Sequence, residues 1–258
     1  MKIAHFRYKT KLPTHILSIR HKKKKGGWRV SSDSLSYYHQ KKDQYYHGVN
    51  PVIVHRIRKE WTSILDIGCG TGQLGKVLKQ QDRTIYGIES FEDAAKQAEQ
   101  TLDHVLCGNI EQMALPYQHE QFDCIIFGDV LEHLLDPWAV LKKVKPFLKR
   151  EGAILSSIPN IGHISTVLEL LAGRFTYTDA GLMDQTHLRF FTLHEIHALF
   201  QSAGFHVREL ETIRVQHPSY TGVMNDLHEL LVKHGIRFDF NEAATAYQYV
   251  VEAVQLNE

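Results

Sequence analysis

The stretch ILDIGCGTGQLG, Ile64 to Gly75, constrains this chain more than any other. Its apolar start has the length and composition of a strand buried on both faces. It runs directly into Gly68, Gly70 and Gly72, which lack a Cβ and so let the backbone turn sharply and touch a ligand at van der Waals distance. A strand that ends in a glycine turn and resumes as a helix opens an alternating α/β sheet, whose ligands lie outside the C-terminal ends of the strands.

The alternation continues. A short amphipathic helix with Val52, Ile53, His55, Ile57 and Trp61 leads into the strand SILDIG, and a helix follows from about Leu74 to Gln80. The strand TIYGIE precedes a helix in SFEDAAKQAEQTL, where Ser90 and Asp93 form a variant capping box. HVLCGN and the apolar run FDCIIFGD supply the third and fourth strands. Asp136 as cap and Pro137 at the first position start a helix striped by Val140, Leu141, Val144, Phe147 and Leu148, with Pro146 expected to kink its end. The fifth strand is AILSSIPN. Thr192 and Glu195 announce a further helix closed by Gly204, FHVREL returns as a strand, residues 221–234 read as helix, and AYQYVVEAVQL reads as the last strand. The expected fold is α/β: a doubly wound, mostly parallel seven-stranded sheet with helices on both faces and an antiparallel last strand.

The glycine pattern is GxGxG, not the GxGxxG of dinucleotide binders, and Asp66 precedes it within the strand. A carboxylate there is a poor neighbour for a pyrophosphate and a good one for a cation. Glu89 stands 23 residues further on, at the end of the second strand, where an acid accepts hydrogen bonds from both hydroxyls of a ribose. The ligand therefore carries a ribose and a positive end, as S-adenosylmethionine does.

At this point the sequence resembles the class I S-adenosylmethionine-dependent methyltransferases. LDIGCGTG is similar to their first motif, YGIE to the second, GNIE to the adenine-side motif, and FDCIIFGDVLEHL to the fourth strand beside the methionine moiety. The likeness covers roughly residues 45–215, and the segment SSIPNIGHISTVLELLAGRFTYTDAGLMDQTHLRFFT is similar to a quinone-biosynthesis and small-molecule subgroup. The resemblance implies that Asp66 faces the cofactor's ammonium, that Gly68, Gly70 and Gly72 line its methionine portion, and that Glu89 holds the ribose. It implies that Asn109, standing where the family usually has Asp, accepts from the adenine amino group, that Ile110 offers its N–H to the ring, and that the strand end at Gly128 and Asp129 receives the ammonium.

Methyl transfer is an in-line displacement at an activated carbon, so a neutral amine needs little beyond alignment and exclusion of water, whereas a hydroxyl must lose its proton and calls for a base or a metal. His163, in PNIGH, and His187, in DQTHLRFF, are the candidate catalytic bases, against a structural role for each. His133 is assigned to packing or loop fixing. No carboxylate and histidine cluster at ligand spacing is legible, so no metal is expected. Residues 161–191 are expected to form a lid or acceptor insertion, in which Arg174 and Arg189 either pair with an anionic acceptor or salt-bridge within the protein.

Residues 1–30 hold ten Lys or Arg and no acid, which leaves 20 basic residues against 29 acidic in the remainder, net −9. The run RHKKKKGGWR is read as part of a solvated tail, with contact to nucleic acid or an acidic surface as the less favoured alternative. The rest, 31–258, is read as one domain, with a small-molecule acceptor as partner. Cys69, Cys107 and Cys124 are read as reduced core thiols, and with no membrane-spanning run the protein is expected in the cytoplasm. The competing readings are an RNA methyltransferase anchored by the tail and a non-catalytic cofactor-binding partner subunit. Against the first, the chain carries no NPPY-like or catalytic-cysteine motif and its body is acidic, which opposes phosphate.

Overall fold

A computed structural model of the protein describes residues 49–79, 82–215 and 218–256. The basic run and the boundary expected near residue 30 lie outside the described residues.

Seven strands form one sheet: β1 (Ser63–Ile67), β2 (Thr84–Glu89), β3 (His104–Cys107), β4 (Phe122–Gly128), β5 (Leu148–Pro159), β6 (Phe205–Arg214) and β7 (Ala246–Gln255). Their order is β3-β2-β1-β4-β5-β7-β6. The first five run parallel, and β7 slots between β5 and β6, antiparallel to both. The doubly wound sheet with an antiparallel last strand is the one expected.

The helices are α1 (Pro51–Arg56), α2 (Gln73–Leu78), α3 (Glu92–Ala98), α4 (Pro137–Val144), α5 (Ile164–Leu171), α6 (Leu193–Ser202), α7 (Thr221–Lys233) and α8 (Phe240–Thr245). Strand pleating divides the apolar runs between two cores. Leu65, Ile67, Ile125 and Phe127 pack with Val140, Leu141 and Val144 of α4 and Ile196, Leu199 and Phe200 of α6. Ile64, Cys124 and Ile126 face the other way, against Ile53 of α1, Leu74 and Leu78 of α2 and Ala98 of α3. Each such side chain contributes about 1.5–3 kcal/mol, which explains why β1 and β4 carry apolar residues toward both faces of the sheet.

Local chemistry departs from expectation in several places. Asp136 does cap α4, accepting from the Ala139 N–H at 2.9 Å. Pro146, however, ends that helix instead of kinking it: α4 stops at Val144, a 3-10 turn covers Lys145–Phe147, and Leu148 already belongs to β5. Ser90 does not cap α3, because its hydroxyl donates to Glu89 at 3.3 Å. Thr192 bonds the Glu195 carboxylate, side chain to side chain, and gives no bond to the helix backbone. The helix α8, capped by Asp239 on the Glu242 N–H at 3.0 Å, was not anticipated. Cys107 is exposed, unlike the buried Cys69 and Cys124.

Candidate active site

Three strands end on one crevice. After β1 the chain turns through Gly68 (φ +71°), Gly70 (φ +54°) and Gly72 (φ +80°), all in the left-handed region that favours glycine. The N–H groups of Gly68 and Cys69 both donate to the Ile88 carbonyl of β2, at 2.8 and 3.1 Å, which clamps the turn to the neighbouring strand. A Cβ on Gly68 would lie 2.6 Å from Val130, whereas one on Gly70 meets nothing within 4 Å and would project into open space.

Glu89 closes the opposite wall. Its Oε2 accepts from the Gly70 N–H at 2.8 Å and its Oε1 from the Phe91 N–H at 2.9 Å, so one carboxylate ties the glycine turn to the start of α3. The expected capping role thus falls to Glu89 itself, and its remaining lone pairs stay available to a ligand hydroxyl. Asp66 lies beside it, 3% exposed. Burial first, and the charge of Glu89 second, push the Asp66 carboxyl up to about 7. Two desolvated acids facing one crevice form a site that a cation would relieve.

The third wall is the end of β4. Asp129 has φ +54°, a conformation that costs a non-glycine residue about 1–3 kcal/mol and marks functional positions. Its N–H donates to the Ser157 hydroxyl at 3.0 Å, and its carboxylate accepts from Gln248 of β7, which in turn accepts from Asn50 at 3.3 Å. Asp129 is exposed at the strand end. Burial pushes its carboxyl up to about 6, against the bonds from Ser157 and Gln248 that pull it down. Gln248 and Ser157 went unrecognised in the sequence, since nothing local marks a glutamine on an apolar strand as the partner of an acid 119 residues away.

At the adenine-side turn, Asn109 is exposed and its side-chain oxygen accepts from the Glu111 N–H at 2.8 Å, leaving one lone pair facing out. Ile110 is buried, and its carbonyl accepts from Lys143 at 2.6 Å.

The two candidate histidines differ. His163 has both ring nitrogens engaged: Nε2 donates to the Val215 carbonyl at 2.9 Å, and Nδ1 accepts at the start of α5, 2.8 Å from the Ser165 hydroxyl. His187 is buried with Nδ1 donating to the Leu182 carbonyl at 3.3 Å, which leaves Nε2 as an acceptor. Burial, then His133, hold its pKa below the ordinary histidine value. The expectation that no carboxylate and histidine cluster sits at ligand spacing is corrected here: Glu132, His133 and His187 place ligand atoms within 4.8 Å of one another. The sequence hid this cluster because His187 arrives from the insertion, 54 residues after His133.

The segment 161–191 is anchored at both ends. Ile161 N–H donates to the Phe191 carbonyl at 3.0 Å, and the N–H groups of Leu188 and Arg189 both donate to the Glu132 carbonyl, at 2.8 and 2.9 Å. Arg174 pairs with Glu169 at 2.6 Å and Arg189 donates to the Leu135 carbonyl, so both arginines are held within the protein. A cavity of about 620 Å³ lies between Ile164, Arg214, Tyr220, Met224 and Asn225, and neither Asp66 nor Glu89 lines it. No helix among the described residues is long and apolar enough to cross a membrane.

Comparison with known proteins agrees with this fold. The methyltransferase domain family matches residues 19–210. An uncharacterized methyltransferase of Anoxybacillus flavithermus is 29% identical over 133 residues, which is 50% of this chain and only 62% of that protein. A ubiquinone biosynthesis O-methyltransferase of Hydrogenovibrio crunogenus is 26% identical over 175 residues, 63% of this chain and 71% of that one. The crystal structure of a SAM dependent methyltransferase from Archaeoglobus fulgidus superposes with a TM-score of 0.56 at 17% identity, over 85% of this chain and 99% of its own, and so shares the fold.

Proposed function

The chain belongs to the class I S-adenosylmethionine-dependent methyltransferases, and we propose that it transfers the cofactor's methyl group to an oxygen of a small-molecule acceptor. The observation that carries the cofactor half is the paired burial of Asp66 and Glu89 around a left-handed glycine turn, a desolvated negative crevice suited to a sulfonium and an ammonium. Asp66 faces the ammonium, and Glu89, already held by the Gly70 N–H, takes the ribose hydroxyls. Gly68, Gly70 and Gly72 line the methionine chain. Asn109 and Ile110 flank the adenine, and Gly128 and Asp129 form the strand end beneath the sulfur.

In the reaction an acceptor oxygen lone pair forms the new C–O bond while the S–C bond breaks. The sulfur keeps that electron pair and leaves as the neutral thioether of S-adenosylhomocysteine, and the acceptor proton passes to a base. The protein's work is alignment and exclusion of water, and the anchored insertion covers that end of the sheet. His163, saturated by Val215 and Ser165, supports the fold, so the proton leaves toward His187, whose Nε2 is free. The oxygen assignment draws on the relative from Hydrogenovibrio crunogenus, named for O-methylation in ubiquinone biosynthesis.

The test is transfer of labelled methyl from S-adenosylmethionine to matched pairs of phenols and anilines. Methyl ethers from the phenols with unreacted anilines support the reading, and methylated anilines with untouched phenols overturn it.

A further inference from the structure

Glu132 is the least compensated group among the described residues. It sits in the 3-10 turn Leu131–His133 just after β4, is 1% exposed, and neither carboxylate oxygen has a hydrogen-bond partner. An ionised carboxylate buried without a partner is costly by several kcal/mol. The charged groups nearest to it are the acids Asp129 and Asp184, which add negative charge and not a counter-ion.

The rings of His133 and His187 lie beside it with centroids 4.8 Å apart. His133 Nδ1 is 3.1 Å from the Thr186 carbonyl, and His187 Nδ1 is 3.3 Å from the Leu182 carbonyl. A carbonyl only accepts, so each Nδ1 carries the proton and each Nε2 presents a lone pair. This is the arrangement in which metal-binding histidines are held, with the second nitrogen donating to a main-chain carbonyl that fixes tautomer and ring orientation. Asp184, whose carboxylate accepts from Thr186 at 2.7 and 2.8 Å, holds the loop that supplies the Thr186 carbonyl and adds negative charge nearby. The turn and the insertion are also tied through the main-chain bonds from Leu188 and Arg189 to Glu132, so the ligand atoms from the two segments stay together.

We propose that Glu132, His133 and His187 hold a divalent first-row transition-metal ion, with zinc the simplest fit. Two imidazole nitrogens and one carboxylate favour zinc, cobalt or manganese over magnesium or calcium, which take all-oxygen sites. A His₂Glu set leaves a fourth position open, as catalytic zinc sites do. His133 is only half-buried, so an ion has a path in. Lying between the end of β4 and the segment 161–191, the ion would bind water or an acceptor oxygen and lower that oxygen's proton affinity, so His187 would act through the metal-bound oxygen in the metal-loaded protein and as the base itself in the metal-free one. Metal binding itself stands apart from the choice of methyl acceptor.

The experiment uses the full chain, stripped with a chelator and titrated with Zn²⁺ and with Co²⁺ in the absence of S-adenosylmethionine. Bound metal is counted by mass spectrometry, and Co²⁺ reports its ligands through visible absorption. Wild type is expected to bind one equivalent per chain with a nitrogen-ligand Co²⁺ spectrum. Glu132→Gln and His187→Gln are expected to weaken binding at least ~100-fold, beyond the 10–100-fold of losing an outer-shell partner, while the exposed His194→Gln leaves it unchanged. His133→Asn, at the half-buried member of the three, gives the same answer should a buried variant fail to fold by circular dichroism. Absence of stoichiometric metal on wild type, or unchanged affinity in folded Glu132→Gln, His187→Gln or His133→Asn, overturns the proposal.

Discussion

Replacing Asp66 with Asn should stabilise the ligand-free protein and disable it at once. The Asp66 carboxyl is raised from 3.8 to about 7 by burial and by Glu89, while in the unfolded chain it titrates normally. Between those values the native state holds a proton that the unfolded state has released, so stability falls as pH rises from about 4 and the loss is complete above about 7. Each pKa unit is worth about 1.36 kcal/mol, so roughly three units cost the empty fold on the order of 4 kcal/mol at pH 8 and about a quarter of that at pH 4.5. Asn removes the charge at nearly constant volume but brings N–H donors of its own that need partners. A realised gain of about 2 kcal/mol is a rise in Tm of roughly 4–8 °C for a domain of this size. The assay is thermal unfolding of ligand-free wild type and Asp66→Asn, followed by circular dichroism at pH 4.5 and pH 8, with S-adenosylmethionine affinity measured alongside. The gap should open with pH while affinity collapses. A gap equal at both pH values, or a variant less stable than wild type at pH 8, would refute the reasoning.

Two further contrasts separate site from scaffold. Gly75→Ala would place its Cβ 2.2 Å from Leu102 and 3.0 Å from Ile85, an overpacking that should lower stability by ~1–3 kcal/mol in denaturant titrations. Gly70→Ala meets no atom within 4 Å, so it should cost about 1–2 kcal/mol for its left-handed backbone yet weaken cofactor binding at least tenfold. His163→Ala should reduce stability by about 1–3 kcal/mol and leave the shape of the pH–rate profile intact. His187→Gln should lower kcat by ~10²–10⁴-fold with cofactor affinity near wild type, and identical profiles for the two would contradict their separate roles.

The parallel half of the sheet was legible because β1 and β4 are mostly apolar on both faces and each runs into a glycine, the pattern of a strand covered on both sides. Asp66 and Glu89 were legible for the same reason: their spacing reports two adjacent parallel strands whose ends meet, as the pairing of Ile67 with Ile88 bears out. Relations between distant segments were not legible. The Gln248 to Asp129 bond depends on β7 entering antiparallel beside β5, a registry that no local periodicity encodes. Glu132 read as part of a Glu-His dipeptide, and its meeting with His187 depends on the insertion folding back over the end of β4. Helix starts misled where a side chain had a stronger partner elsewhere, as Ser90 does in Glu89.

The central claim, a cationic nucleoside held by paired buried acids, is tested most directly by calorimetric titration of the full chain with S-adenosylmethionine at pH 7 in two buffers of different ionisation enthalpy. The account predicts one site per chain and release of about half a proton as Asp66 ionises against the ligand. Binding with no proton released, or binding of NAD in place of S-adenosylmethionine, would contradict it.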